Sequence, residues 1–360
     1  MTAITAPPGA ASPAPPGASP GASRGAPAVR RGRGAGLLAV AGALLAVVIV
    51  LSIALGTRAL SPATVFDALF RYDGSPDESI VRQLRLPRTF IGLAAGAALG
   101  LSGALMQTLT RNPLADPGLL GVNAGAAAAI VAAAAFTGVT STGGYVWFGL
   151  AGAGLLAVLS YRLGSAGRAA ATPERLILAG VALTATLTAF TTIVILLRPA
   201  AFEQFRSWSV GSLGGRPMSV LWQILPFIVV GSAVALLLAR PLNALALGDD
   251  LGRAVGARSG RTRVLCALAI ALLCGAATAA AGPISFVGLI IPHVVRPLAG
   301  PDVRLLLPLS MLLAPALLLA ADIVGRLIVS PAELETGVVT AFLGAPIFLF
   351  LARRTRISRL

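Results

Sequence analysis

Long apolar runs separated by short polar stretches dominate the sequence from residue 36 onward. Ten runs can be distinguished, at about 36–55, 89–109, 118–137, 145–163, 172–197, 220–238, 264–281, 283–295, 305–327 and 337–352. A helix needs about 20 apolar residues to cross the hydrocarbon core of a bilayer. The runs lack the strict alternation of apolar and polar residues that is typical of barrel strands. The pattern therefore predicts an all-α, polytopic membrane protein with about ten transmembrane helices.

The eighth run is shorter than the others. It lies between Pro283 and Pro292. Because proline interrupts the hydrogen bonding of a helix, these two residues predict a half-helix and not a complete crossing.

The second and third runs lie in a stretch, 85–125, around which we expect the rest of the chain to be organised. Glycines at Gly92, Gly96 and Gly100 recur every four residues, and the sequence Arg111-Asn112-Pro113 breaks the apolar pattern. Residues four apart share one face of a helix, so three glycines in register leave a groove that another helix backbone can approach. We predict a membrane hairpin whose first helix uses these glycines for helix packing.

Two polar regions flank or interrupt the predicted spans. Residues 1–35 are mostly Ala, Pro, Gly and Ser, a composition that cannot bury enough apolar surface to fold. We expect a disordered cytoplasmic tail there, followed by a transmembrane domain at 36–356 whose first run is a span and not a cleaved signal. Residues 240–263 form a polar interruption with five arginines.

Composition agrees with a membrane protein and excludes several functions. Apolar residues make up 56% of the chain and charged residues 11%, whereas about a quarter of the residues in soluble domains are charged. All 28 basic residues are arginine. Without lysine the chain cannot form a Walker-type phosphate loop or a Schiff base. We expect no cofactor bound by this chain; if ATP drives it, another subunit binds the ATP.

The arginines also predict the orientation in the membrane. With the N-terminus inside and ten crossings, nineteen arginines lie on the inner side and nine on the outer side. This excess fits the positive-inside rule with both termini cytoplasmic, so the net charge of +15 does not indicate a nucleic-acid partner. The outer group requires its own explanation; it comprises Arg58, Arg71, Arg82, Arg85, Arg88, Arg198, Arg206, Arg216 and Arg326.

Metal-binding residues are scarce. His293 is the one histidine, and Cys266 and Cys274 lie eight residues apart. That spacing corresponds to about 12 Å along a helix, too far for a disulfide. No His, Cys and carboxylate cluster can be recognised, so no metal site is predicted.

Five segments in fixed order carry a resemblance to a known family. They read RLPRTF, RNPLADPGLLGV, LGDDLGRAVG, AGPISFVGLIIPHVVRPLAG and GAPIFLFLARR. Over about residues 37–356 the chain resembles the FecCD-type permeases of bacterial ABC importers for iron-siderophores, haem and vitamin B12. One departure is visible, because the family usually has Glu-Leu-Pro-x-Gly where this chain has Glu333-Leu334-Glu335-Thr336-Gly337.

The resemblance implies a type II ABC importer permease fold and a function. The chain would be a permease, not an enzyme, in the bacterial inner or plasma membrane, most simply for ferric siderophores. It would form a homodimer or a paired heterodimer, with the translocation pathway at the interface. Its partners would be two cytoplasmic ATPase subunits that use ATP-Mg and an extracytoplasmic substrate-binding protein that delivers the metal chelate.

The resemblance also assigns candidate site residues. The coupling helix that contacts the ATPase would be Asp249, Asp250, Leu251, Gly252, Arg253, Ala254, Val255 and Gly256, within the 240–263 loop. The outer arginines run against the charge rule, which itself points to a counter-ligand; we expect Arg85, Arg88 and Arg326 to project at the outer surface and bind carboxylates there. The resemblance implies that these carboxylates belong to the binding protein. The pathway would be lined by Met106, Gln107, Thr172, Thr184, Thr188 and Thr191.

Other interpretations of these residues stay open. The 249–256 segment could be a solvated loop, the outer arginines could contact lipid phosphates, and Thr172 could cap the helix that begins at Pro173. A self-contained secondary transporter is the alternative function. It requires intramembrane carboxylates along an ion path, and Asp322 is the one candidate. Because Arg326 follows four residues later, we expect the two side chains to pair instead.

Overall fold

The computed structural model describes residues 28–139, 141–165, 173–246 and 259–354. These ranges contain helices and loops, and no strand occurs in them. The α-helices, in chain order, are α1 Ala28–Ala54, α2 Pro62–Phe70, α3 Pro76–Ile80, α4 Leu86–Thr110, α5 Val122–Phe136, α6 Thr142–Gly164, α7 Pro173–Leu197, α8 Pro199–Ser209, α9 Met218–Leu237, α10 Ala239–Ala246, α11 Ser259–Ala281, α12 Val287–Ala299, α13 Val303–Ile328 and α14 Thr336–Arg354.

The helices agree with the ten predicted apolar runs. Seven helical stretches in the described ranges are long and apolar enough to cross a membrane, and they involve α1, α3 continuing into α4, α6, α7, α9, α11 and α13. Three shorter apolar helices, α5, α12 and α14, account for the other runs. The all-α, polytopic prediction is confirmed.

The second crossing begins earlier than predicted. Helix α3, a π-helical turn at Val81–Arg85 and α4 form one continuous stretch from Pro76 to Thr110. Ser75 caps its start, where the hydroxyl accepts from the Glu78 N–H. A count of apolar residues does not include this part of the helix, because several of its first ten residues are polar.

The short helix α12 begins and ends later than predicted. It contains 13 residues, about 20 Å of helix, so the half-length prediction agrees with the structure. The proposed boundary at Pro292 is wrong, because Pro292 and Pro297 both lie inside the helix. A proline removes a hydrogen bond without ending a membrane helix when neighbouring groups compensate.

Helix α4 lies at the centre of the bundle. It packs mainly against α13, α11, α12 and α9, whereas α5 packs against α6, α7 and α8. The two helices of the predicted hairpin are present but do not pack closely against each other, because the loop after Arg111 and a 3-10 turn at Pro117–Leu120 lead the chain to a different set of neighbours.

The glycine face of α4 contacts the backbone of α13. A Cβ atom at Gly96 would lie 2.5 Å from Pro315 Cα, and one at Gly100 would lie 2.5 Å from the Ser310 carbonyl oxygen. One at Gly92 would overlap the Leu319 side chain. The absence of side chains at these three positions is what allows the two backbones to approach closely.

Candidate functional site

A buried polar cluster joins three helices at the end of the bundle that the charge rule predicts to be outside, here called the outer end. The Arg88 guanidinium of α4 donates to both carboxylate oxygens of Asp322 in α13, with Nε to Oδ2 at 2.9 Å and Nη2 to Oδ1 at 2.8 Å. Arg88 Nη1 also donates to Glu333 Oε2 at 2.6 Å. Asp322 accepts further from Thr336 Oγ1 of α14 at 2.7 Å and pairs with Arg326 at 3.1 Å. The predicted pairing of Asp322 with Arg326 is confirmed.

Two arginines of this region bind the C-terminal end of α1. Arg85 Nη1 donates to the carbonyl oxygens of Ile53 and Ala54, at 2.9 and 2.6 Å. Arg326 Nη1 donates to those of Ser52 and Leu55, at 3.0 and 2.8 Å. The last carbonyl groups of a helix lack intrahelical partners and carry a partial negative charge. The two guanidinium groups therefore cap α1.

Other outer arginines also have intramolecular partners. Arg58 pairs with Asp77 at 2.8 Å, and Arg206 pairs with Glu203 at 2.9 Å. Arg82 donates to the carbonyl oxygens of Ala68 and Leu69 and lies over the Tyr72 ring. Arg216 donates to the Tyr145 hydroxyl. Contacts within the chain thus account for most of the arginines that are predicted to lie outside, against the positive-inside rule.

The three predicted docking arginines are buried. Arg85, Arg88 and Arg326 expose 4%, 8% and 2% of their surface. The expectation that they project from the outer surface is wrong, because the α1 carbonyls and the Asp322 and Glu333 carboxylates bind them. All three nevertheless line an open pocket of about 370 Å³ at this end of the bundle, together with Glu333 and Glu335. A docking role for them stays a prediction.

The turn that departs from the family pattern forms part of the same pocket. The Leu334 N–H donates to the Gly325 carbonyl at 3.0 Å, and the Gly337 N–H donates to the Gly211 carbonyl at 2.8 Å. The Glu335 carbonyl accepts from the N–H of Val338 at 3.0 Å as α14 begins. Backbone hydrogen bonds therefore hold this turn without a proline, and the substituted Glu335 lines the pocket.

The predicted pathway residues do not share one surface. Met106 and Gln107 are each 1% exposed, and Gln107 Nε2 donates to the Leu289 carbonyl of α12 at 3.0 Å. They lie inside the protomer, because the central position of α4 leaves this part of the helix covered. The structure thus separates them from the α7 threonines, and a pathway role for the set stays a prediction.

The α7 threonines lie on a helix that is poorly covered by the chain itself. Thr188 is exposed, Thr184 is partly exposed and Thr191 is buried. In the 18-residue apolar window of α7, 17% of the residues are buried within the chain. The sixth residue of the predicted set, Thr172, lies outside the described residues. Helix α7 thus offers a broad surface to lipid or to another protein.

The predicted coupling residues, Asp249 to Gly256, also lie outside the described residues, but the helix before them is firmly attached. In α10, Asn243 Nδ2 donates to Asp302 Oδ1 at 2.6 Å, and Asn243 Oδ1 accepts from the Val303 N–H at 2.9 Å. Arg111, just after α4, donates to the Leu245 carbonyl at 2.6 Å.

This attachment was not predicted from the sequence. Its one signal was Asp302 ahead of α13, in a position where a helix N-cap is expected, and the Asp302 carboxylate does accept from the Arg304 N–H. A displacement of α10 would be transmitted to the ends of both α4 and α13 through these contacts.

Comparison with known proteins decides the family. Residues 44–354 match the FecCD transport family, which is nearly the whole of the apolar part of the chain. The chain belongs to the FecCD transport family. The resemblance of the five sequence segments is confirmed, and a FecCD-family chain is a component of a membrane transporter and not an enzyme.

The chain aligns with most of the length of individual FecCD relatives. The chain is 50% identical to the ferric enterobactin transport system permease protein FepD of Escherichia coli (strain K12), over 88% of this chain and 95% of FepD. It is 38% identical to the vitamin B12 import system permease protein BtuC of Klebsiella pneumoniae, over 87% of this chain and 92% of BtuC.

A solved structure shares the fold. It is described as an inward-facing conformation of a metal-chelate type ABC transporter and superposes with a TM-score of 0.76 at 28% identity, covering 89% of this chain and 99% of that one. The predicted permease fold is confirmed.

Proposed function

We propose that this chain is the permease subunit of an ATP-driven importer for ferric siderophores in the bacterial inner membrane, with both termini cytoplasmic. Membership of the FecCD family supports the permease assignment. The 50% identity to a ferric enterobactin permease supports the substrate class. The observation that carries the proposal is the outer pocket lined by arginines, because it has the charge and access that a soluble, substrate-delivering protein requires.

The pocket suits a carboxylate from an extracytoplasmic binding protein. Four arginines and two glutamates line it. Glu333 is bound by Arg88, whereas the described contacts of Arg85 are to backbone carbonyls. An incoming carboxylate would therefore meet a guanidinium that no acidic side chain neutralises, and charged hydrogen bonds of this kind are among the strongest.

The pathway would form where two permease protomers meet, as a homodimer or a paired heterodimer. Helix α7 supports this arrangement because it is long, largely uncovered by the rest of the chain, and bears Thr184 and Thr188 on accessible positions. Weakly polar hydroxyl groups on such a surface suit a passage for a bulky chelate better than an interface with lipid alone.

ATP hydrolysis would occur on two separate cytoplasmic subunits that bind ATP-Mg, since this chain has no lysine for a phosphate loop. The segment 249–256 would contact them. The hydrogen bonds of Asn243 and Arg111 would then transmit movement of this segment to α13 and α4.

Binding measurements with a matched pair of variants test the docking pocket. Arg85→Gln removes the unneutralised charge, and we expect affinity for the cognate binding protein, measured by surface plasmon resonance, to fall about tenfold or more. Arg82→Gln is the control, because Arg82 also binds carbonyls at a helix end, Ala68 and Leu69, but does not line the pocket. Equal affinity for both variants would exclude the docking site.

Transport in proteoliposomes tests the mechanism. The chain reconstituted with its ATPase and binding protein should take up ferric siderophore when ATP is supplied, and uptake should persist after a protonophore collapses ion gradients. The purified chain alone should show no ATPase activity. Uptake that requires the gradient and ignores ATP would instead establish the secondary transporter.

A further inference from the structure

A long apolar groove with a volume of about 570 Å³ lies on the surface of the bundle, between α6, α9 and α11. The rings of Trp147 and Phe227 meet edge to face at one end, 6.2 Å apart. Tyr161 and Arg162 lie at the other end. The groove is therefore apolar along its length and basic at one end.

The length of the groove matches the thickness of one membrane leaflet with its headgroup region, which is about 20–22 Å. Trp147 and Arg162 are fifteen residues apart on α6, which corresponds to about 22 Å along the helix. About 15 Å of a leaflet is hydrocarbon, and the remainder is the headgroup layer in which the Arg162 end of the groove would lie. The distribution of arginines predicts that the C-terminal end of α6 is cytoplasmic, so the basic end of the groove faces the cytoplasmic leaflet.

Arg162 has an exposed side chain at that end. Within the described parts of the chain its guanidinium makes no ion pair or hydrogen bond, and its backbone carbonyl accepts from the Ser165 hydroxyl. Basic residues between transmembrane helices on the cytoplasmic side bind anionic lipid headgroups. A phosphate would supply the partner that the described residues do not.

The wall of the groove leaves room for an occupant. A Cβ atom built at Gly154, in the middle of the α6 wall, would have no atom within 4 Å. An anionic lipid complements both the apolar wall and the basic end.

We propose that this groove binds one anionic phospholipid of the cytoplasmic leaflet, with an acyl chain along α6 and the phosphate at Arg162. The proposal depends on the membrane orientation and not on the transported substrate or on ATP. A lipid held there would fill the space between α6, α9 and α11.

Quenching of tryptophan fluorescence by brominated lipids tests the site on the intact chain. Trp147 lines the groove. Because Trp222 is 64% exposed and also fluoresces, the variant Trp147→Phe is used to determine how much of the quenched signal comes from Trp147. Brominated phosphatidylglycerol should quench the Trp147 signal with about fivefold higher apparent affinity than brominated phosphatidylcholine, as expected for one basic residue near anionic headgroups.

Two variants and two controls assign the effect to the groove. Arg162→Gln should abolish the preference for phosphatidylglycerol, and Gly154→Leu should reduce quenching of Trp147 by both lipids. The first control is Arg304→Gln, at an exposed arginine at the start of α13, and it should leave the preference for phosphatidylglycerol unchanged. The second is Gly42→Leu, at an equally open glycine of α1, and it should leave the quenching of Trp147 unchanged.

Three results would overturn the proposal. These are equal quenching by the two lipids in the unmodified chain, a preference that survives Arg162→Gln, and a Trp147 that neither lipid quenches. The last result would mean that protein covers the groove. None of them bears on docking or ATP-dependent uptake.

Discussion

The outer end and the middle of α4 are held in place by different means. At the outer end, Arg88 binds the Asp322 carboxylate of α13, and the carboxylate side chain is completely buried. In the middle, Gly96 and Gly100 of α4 lie directly against the backbone of α13, because glycine has no side chain to keep the two helices apart. The first contact requires particular charges, whereas the second requires only that α4 has no side chain at these positions.

This difference indicates how each region responds to change. Removing one charge from the outer cluster leaves its partner buried and uncompensated, which is costly in a low-dielectric environment. Adding one methyl group to the glycine face forces two backbones apart, which costs less when they can shift. The buried cluster should therefore be the more sensitive region. The following substitutions compare a buried charge, a close backbone contact of α4 and an exposed charge.

Asp322→Asn should have the largest effect. The amide keeps the size of the side chain but leaves Arg88 and Arg326 without their shared carboxylate, and breaking a buried pair costs about 3–5 kcal/mol. Thermal unfolding of the purified chain in detergent should show a marked loss. Glu333→Gln is the control, because the Glu333 side chain is 37% exposed and a neutral amide in water costs little. Equal losses in the two variants would contradict the role of burial.

Gly103→Ala should have an intermediate effect. A Cβ atom there would overlap the Gly288 carbonyl at the start of α12, and overpacking typically costs about 1–3 kcal/mol. The same thermal assay measures it. Gly42→Ala provides the matched case, since nothing lies within 4 Å of the new atom and alanine favours helix. If Gly42→Ala destabilised the chain as much as Gly103→Ala, close packing would not be the cause.

Glu203→Gln should have the smallest effect. Glu203 pairs with Arg206 on α8, but both side chains are about two-thirds exposed, at 64% and 66%. Water and salt screen such a pair, and its contribution is about 0–1 kcal/mol. The midpoint of thermal unfolding should hardly change. A loss comparable with that of Asp322→Asn would show that charge, and not burial, determines the ranking.

Local spacing predicted some of these contacts and could not predict others. The four-residue spacing of Asp322 and Arg326 indicated their pairing, because residues i and i+4 share a helix face. The bond from Arg88 joins residues 234 positions apart, so no local pattern indicates it. The glycine period showed that α4 has a packing face but not that α13 occupies it.

The wrong predictions have a common cause. Met106 and Gln107 were assigned to an exposed pathway and the docking arginines to a projecting surface, because polarity and span order do not show which side of a helix other helices cover. Gln107 lies inside because α12 supplies a carbonyl acceptor, and Arg85 lies inside because α1 ends beside it.

The sequence by itself determined the membrane-spanning, all-helical character, the approximate positions of ten apolar segments, and the FecCD motifs. These properties depend on local hydropathy and on the order of short segments, which are written directly in the chain. The tertiary structure alone decided which helices are neighbours, that the outer arginines cap α1 and bind Asp322, and that α4 and α5 have separate partners. Those outcomes depend on contacts between residues far apart in sequence, where burial and the position of each partner decide which contacts form.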